Sequence, residues 1–284
     1  MDRKEILNVV DNVNFENLIV KFTYLPHLPL SSNRYGNGDE IRFLVQQNDV
    51  YTLPSESYLQ IKGKIERMAG SAAQLVDNGF AYLSEQIRYD LNSVEIDKTR
   101  NLGAATLLKG LASMTSEEYN SSSNSGFRNL NTANLLDDEG NFSVCVPLKR
   151  WLEFFEDYNK IIILMKHYSE PATIEMLHFL LPPQTPQKSR LKVLHGLCLD
   201  ITVSDAMRIA LLTHVEKNKL IQVPFRSWEM IENTALSAVT RNNWTIMSST
   251  QLEKPRYVLA SFLTNRKNMP VSYTHLTLPT IYSV

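Results

Sequence analysis

Residues 80–101 read FAYLSEQIRYDLNSVEIDKTRN, and this stretch decides the fold class. Ile87, Tyr89 and Leu91 alternate with Arg88 and Asp90. After Asn92-Ser93, Val94 and Ile96 alternate with Glu95 and Asp97. A period of two gives each strand one apolar and one polar face. Asn tolerates positive φ, so Asn92-Ser93 predicts a two-residue hairpin turn, weaker than Asn-Gly. The pattern implies a mainly β protein.

Working outward, Leu18–Tyr24 and Ile41–Val45 are rich in β formers, with a loop predicted between them at residues 31–38. From Tyr58 to Met68, Leu59, Ile61 and Ile65 share a side, and Gly63 among them marks a bulge or close packing. Ala104–Met114 has helical spacing, which Gly110 weakens. Thr115–Asp138 contains EEYNSSSNSG and reads as a long exposed loop. Phe142–Val146 returns to strand. Pro147–Tyr158 predicts a short amphipathic helix locked down by Trp151, Leu152, Phe154 and Phe155, and Ile161–Met165 predicts a buried strand.

The stretch PPQTPQKS, residues 182–189, reads as a linker and a domain boundary. Beyond it, Leu191, Val193, Leu197, Leu199, Ile201 and Val203 hold every second position, with His195 in register. Ser204 is placed to cap a helix from Asp205 to about Lys217. Leu220–Trp228, Trp244–Thr250 and Arg256–Thr264 predict three more strands. Many strands with long loops and few helices argue for a β-sandwich or jelly roll.

The 284 residues carry 29 Lys plus Arg against 30 Asp plus Glu, a net charge of −1, which opposes a role in wrapping nucleic acid. The pairs Lys149-Arg150 and Lys217 with Lys219 are small groups and read as solvated surface charge. Two cysteines, Cys145 and Cys198, do not make a disulfide framework and fit a reducing compartment. The start, MDRKEILNVV, lacks the apolar core of a signal peptide, and no apolar run approaches the roughly 18 residues that predict a spanning helix. The expectation is a soluble protein, intracellular where it is made, in cytoplasm or nucleus.

Candidate chemistry is sparse. His195, Cys198 and Asp200 resemble a metal cluster, but His195 and Cys198 are an odd number apart and diverge on a strand. His167 and His178 lack a third placed ligand. A cupin-type enzyme needs an HxH element, and none occurs; GxSxG and GxxxxGK[ST] are also missing. Ser204-Asp205 reads as a helix start, and Glu117-Glu118 and Asp137-Asp138 as solvated loop charge. Trp151, Phe154, Phe155, Trp228 and Trp244 read as core. Arg226, inside PFRSWEM, reads as the partner of a nearby carboxylate rather than a stacking platform. No catalytic, cofactor or metal residue is assigned.

The stretch VSYTHLTLPT, Val271–Thr280, matches in order the frame translation of a transposase-type sequencing adaptor. Residues 270–284 are therefore expected to be adaptor-derived, with the native frame cut near Met269. The alternative is a genuine β-rich tail, since Tyr, Thr, Leu and Val suit strands.

Several segments together resemble the double jelly-roll-like family of invertebrate genomes: FAYLSEQIRYDLNSVEIDKTRN at Phe80, FSVCVPL at Phe142, EDYNKIII at Glu156, FRSWEM at Phe225 and STQLEKPRYVLASFLTNRK at Ser249. That family is related to the double jelly-roll major capsid proteins of DNA viruses and of virus-like Polinton or Maverick elements. The resemblance implies two upright β-sandwiches per subunit, homotrimers with a pseudo-hexagonal outline, contacts with minor capsid proteins, and a place in a virion or virus-like particle. It carries over no catalytic residue.

The expected division is a first jelly roll at residues 1–183, the start of a truncated second one at 184–269, and the tail at 270–284. A second sandwich cut short would expose strand edges and an apolar inner face, and so be poorly soluble. The expected function is a non-enzymatic coat protein acting by self-assembly. The alternative is a domesticated host binding module on the same fold.

Overall fold

Asn92 and Ser93 both take left-handed backbone, φ 50° and 63°, and close the hairpin as its pattern predicts. The computed structural model describes residues 18–30, 39–45, 50–65, 78–127, 137, 139–162, 174–180, 189–217, 221–232, 255–261 and 280–283. Eight strands come first: β1 (Ile19–His27), β2 (Glu40–Val45), β3 (Tyr51–Ile65), β4 (Gln86–Leu91), β5 (Val94–Arg100), β6 (Asn141–Pro147), β7 (Ile174–Leu180) and β8 (Ser189–Val203). They form two four-stranded sheets in the orders β1-β8-β3-β6 and β2-β7-β4-β5. Every pairing in both sheets is antiparallel.

The chain thus passes repeatedly from one sheet to the other, and its last strand returns between the first and the third. This interleaving is the topology of an eight-stranded jelly roll, as expected. Strand β8 lies beyond the expected boundary at 183/184, yet it is the inner strand that joins β1 to β3. Most of the expected linker, residues 182–188, is outside the described residues.

Ile41, Phe43, Ile87 and Tyr89 from one sheet meet Leu59, Ile61, Val144, Val146, Leu194 and Cys198 from the other in one buried cluster. Trp151, Leu152, Phe154 and Phe155 plug the same cluster, as their spacing suggested. Tyr89 stacks on Phe154 at 5.2 Å and meets Phe155 edge-on at 4.9 Å. Their segment is broken rather than continuous: a 3-10 turn at Leu148–Arg150, then helix α3 at Glu153–Asp157.

Helix α1 (Leu102–Ser113) follows the hairpin at the expected place. Its Gly110 has a packing reason, since a Cβ there would collide with the buried Phe127 ring. The loop expected from Thr115 begins instead as helix α2 (Ser116–Ser121). Thr115 and Glu118 form a capping box, in which the Thr115 hydroxyl accepts from the Glu118 N–H at 3.3 Å and the Thr115 N–H donates to Glu118 Oε2 at 2.9 Å. The T-x-x-E signal was present in the sequence, and the run of serines obscured it. Residues 128–136 and 138 lie outside the described residues.

Helix α4 (Asp205–Glu216) starts where Ser204 caps it, the hydroxyl accepting from the Met207 N–H. Residues 221–232 are described and contain no strand, which corrects the strand expected at Leu220–Trp228. Of the strand expected at Ile161–Met165, Ile161 is described and is not in a strand, Ile162 makes a single bridge to Thr52, and residues 163–165 lie outside the described residues, as does Trp244–Thr250. Strand β9 (Tyr257–Ala260) pairs with β10 (Thr280–Ser283), which falls in the stretch read as adaptor.

Candidate assembly surface

Strand β8 has apolar residues on both faces, and the register separates them. Leu194 lies opposite Ile61 and Gly196 opposite Leu59, so the even-numbered residues face the core with Cys198. The odd-numbered set that the sequence marks as an apolar stripe turns to the outside of the sandwich. There Ile201 sits between Phe22 of β1 and Tyr51 of β3, and Leu199 between Tyr24 and Leu53. Leu197 lies between Pro26 and Tyr58. Three rows of three strands make an apolar panel on the outer face, interrupted on β3 by the irregularity between Leu53 and Tyr58.

The panel's margin is open. Phe22 is 57% exposed and Tyr24 48%, values that neither ring would show in a closed core. Tyr24 meets Tyr58 edge-on at 6.0 Å, which ties the margin to the centre. Burial pushes the phenols of Tyr24 and Tyr58 up, with the Glu56 carboxylate adding to the effect, so both stay neutral hydrogen-bond donors. β1 is also an edge strand exposed on both faces, with Ile19, Val20 and Leu25 uncovered and Lys21 its lone charge. Long apolar edges of this kind are templates for pairing with another chain.

Helix α4 adjoins this edge, because the Ser204 N–H donates to the Leu18 carbonyl at 2.9 Å. None of its residues is buried, and Ile209 and Leu212, neighbours at i and i+3, are exposed. Met207, Leu211 and Val215 are half-buried, so Ile209 and Leu212 are the apolar side chains that extend the uncovered edge.

The hairpin gives the opposite result. The β4–β5 register slips between Tyr89 and Asp90, so Tyr89 faces Asp97 while Asp90 faces Glu95. The sequence predicts Val94 and Ile96 on the inner face, but Val94 is exposed, Ile96 is half-buried, and Asp97 and Thr99 are buried. The cause is the segment that covers β5, which brings polar backbone with it. Asp97 accepts from the Phe154 N–H at 2.9 Å and the Lys98 N–H at 2.8 Å, and Thr99 Oγ1 donates to the Trp151 carbonyl at 2.8 Å. Burial raises the Asp97 carboxyl, and these N–H donors oppose that rise.

The catalytic candidates separate. His195 is half-buried on the outer face opposite Gln60, and Cys198 is fully buried on the inner face, so they diverge as the spacing requires. Burial, reinforced by Asp200, pushes the Cys198 thiol far up, so it is inert. Asp200 accepts from Thr52 Oγ1. His167 and the side chain of His178 lie outside the described residues. Both cysteines are free, and no three-ligand metal cluster occurs among the described residues. No helix among them is long and apolar enough to cross a membrane.

Ser204-Asp205 is a helix start, and Arg226 clasps Asp157 with Nε at 2.9 Å and a terminal nitrogen at 2.6 Å, both as read from sequence. Trp151, Phe154 and Phe155 are core; Trp228 is half-buried and stands apart from it, and Trp244 lies outside the described residues. Glu118 serves the capping box rather than a loop. The panel was missed because the sequence reading assigned β8's odd-numbered stripe no face. The signal was there: Leu194, Gly196 and Cys198 stand between the odd-numbered apolar residues, so the middle of the strand is apolar at both parities, the mark of a strand covered on both sides.

The family model of the double jelly-roll-like domain matches residues 73–278, which takes in β4 to β8 of this sandwich but not β1 to β3, and runs into the stretch read as adaptor. Among solved structures, VP54 of PBCV-1, fitted into a reconstruction of the virophage Sputnik, is similar at 11% identity and TM-score 0.42. A quasi-atomic model of the PBCV-1 virus capsid gives 12% identity and TM-score 0.41. Each similarity covers 67% of this chain and 44% of the other, so the chain spans less than half the length of those proteins. No curated protein matches it in sequence.

Proposed function

The chain belongs to the double jelly-roll-like domain family, and from that premise we propose that it is a structural, capsid-like protein that acts by associating with copies of itself. The observation that carries this reading is the apolar panel of Phe22, Tyr24, Tyr51, Leu53, Leu199 and Ile201, built on the outside of a complete eight-stranded sandwich and open at its margin. Leu199 and Ile201 at its centre are covered within the chain, whereas the open rings of Phe22 and Tyr24 at its margin suit a subunit that tiles against a copy. The chemistry supports the same reading: the buried thiol is inert, and the histidine and cysteine of the best metal-like cluster point to opposite faces.

In its finer form, the subunit carries two sandwiches, the second beginning after β8 rather than at residue 184. It forms homotrimers that tile a shell, with minor capsid proteins as further contacts. The source is a virus or an integrated Polinton-like element. The protein is made inside the cell and ends in a particle.

The test is electron microscopy of the purified protein across salt, pH and concentration. Shells, sheets or regular trimers are the expected products. Small monomers under every condition would contradict the proposal.

A further inference from the structure

Behind the hairpin, three acids and two bases meet. Lys109 of α1 bonds both Glu153 and Glu156 of α3. Arg226, from the segment that follows the sandwich, bonds Asp157 at 2.6 Å and reaches Glu156 at 3.8 Å. Phe225 beside it packs edge-on to Phe154 at 5.3 Å, so this corner fastens residues 221–232 to the sandwich.

Charge does not balance here if every group is ionised. Glu153 is buried, its side chain 4% exposed, and its Oε2 has no hydrogen-bond partner among the described residues. Its one cation is shared with Glu156. The other charges facing the corner are Asp97 of β5, which is occupied by backbone N–H groups, and Arg150, which lies over the Phe127 ring. Neither supplies a donor bond to Glu153. A carboxylate oxygen buried without a donor is costly, and a proton on it removes the surplus charge.

We propose that Glu153 holds a proton on its orphan oxygen near and below neutral pH, and that this buried neutral carboxyl makes the corner between α1 and α3 more stable in mildly acidic than in alkaline solution. Burial is the larger influence on Glu153 and lifts its carboxyl from 4.5 to about 7, against the pull of Lys109. The folded protein therefore holds a proton that the unfolded chain releases at about 4.5. The contribution to stability is full below 4.5, declines as pH rises, and is gone above 7.

The experiment is thermal unfolding of the 284-residue chain, as wild type, Glu153→Gln and Glu156→Gln, with the Glu153 carboxyl followed by isotope-edited infrared titration. Between pH 8.5 and 5.5, the wild-type midpoint should climb by about 5 °C relative to Glu153→Gln. The difference cancels other titrating groups, including the half-buried His27. Glu156→Gln should move the Glu153 titration down by roughly one pH unit, because it removes the neighbouring charge and frees Lys109. Should Glu153→Gln not fold, the wild-type and Glu156→Gln titrations decide alone. Parallel melting profiles, or a Glu153 carboxyl titrating near the ordinary carboxylate range, would overturn the proposal.

Discussion

The β4–β5 hairpin and the β1–β8 panel are built from similar alternating sequence, and they end in opposite conditions. In the hairpin, Ile87 and Tyr89 are sealed under α3, and even Asp97 and Thr99 are buried. On the panel, Phe22 and Tyr24 stay open although their neighbours Leu199 and Ile201 are covered. The difference teaches that alternation fixes which residues share a face but not what lies over that face. In the hairpin the cover is part of the sandwich. On the panel the described residues leave the margin free, and the proposed cover is another copy.

The sharpest way to break this comparison is to damage the sealed side. Phe155→Ala removes a fully buried ring that touches Tyr89 and Phe154, and should cost about 4 kcal/mol in urea unfolding. A loss no larger than that of a panel substitution would mean the two regions are equally closed. Next comes Asp97→Ala, which strands the Phe154 and Lys98 N–H groups; about 2 kcal/mol is expected, with Asp97→Asn milder because it keeps one acceptor.

Gly110→Ala tests packing against propensity in the same half. Helix propensity alone favours Ala by ~1 kcal/mol, yet the Phe127 ring fills the space, so a net loss of roughly 1–2 kcal/mol should appear. Ser93→Gly should act in the other direction, raising stability by about 1 kcal/mol, since Ser93 bears a left-handed φ of 63°. The smallest effect on stability belongs to the panel. Phe22→Thr should stay within ~0.5 kcal/mol of wild type in unfolding while reducing association.

Local rules made much of this legible. The hairpin turn, the Ser204 cap, the aromatic plug at Trp151–Phe155 and the bulge at Gly63 all follow from residues close in sequence. What stayed hidden was set by distant partners. No local signal says that β8 inserts between β1 and β3, which put the expected boundary at 183/184 before the sandwich's last strand. Nor does spacing reveal that Lys109 meets Glu153, or that the segment covering β5 needs a buried Asp97. The capping box at Thr115 was readable and was masked by the polar run behind it.

Sedimentation velocity of the wild-type chain beside Phe22→Glu/Tyr24→Glu reports most directly on the panel's purpose. Two charges placed at the margin would be intolerable in an association surface and harmless on a solvated face. The expected result is a wild type that sediments as trimers or larger assemblies and a folded variant that sediments as a monomer. Identical profiles for the two proteins would contradict the account.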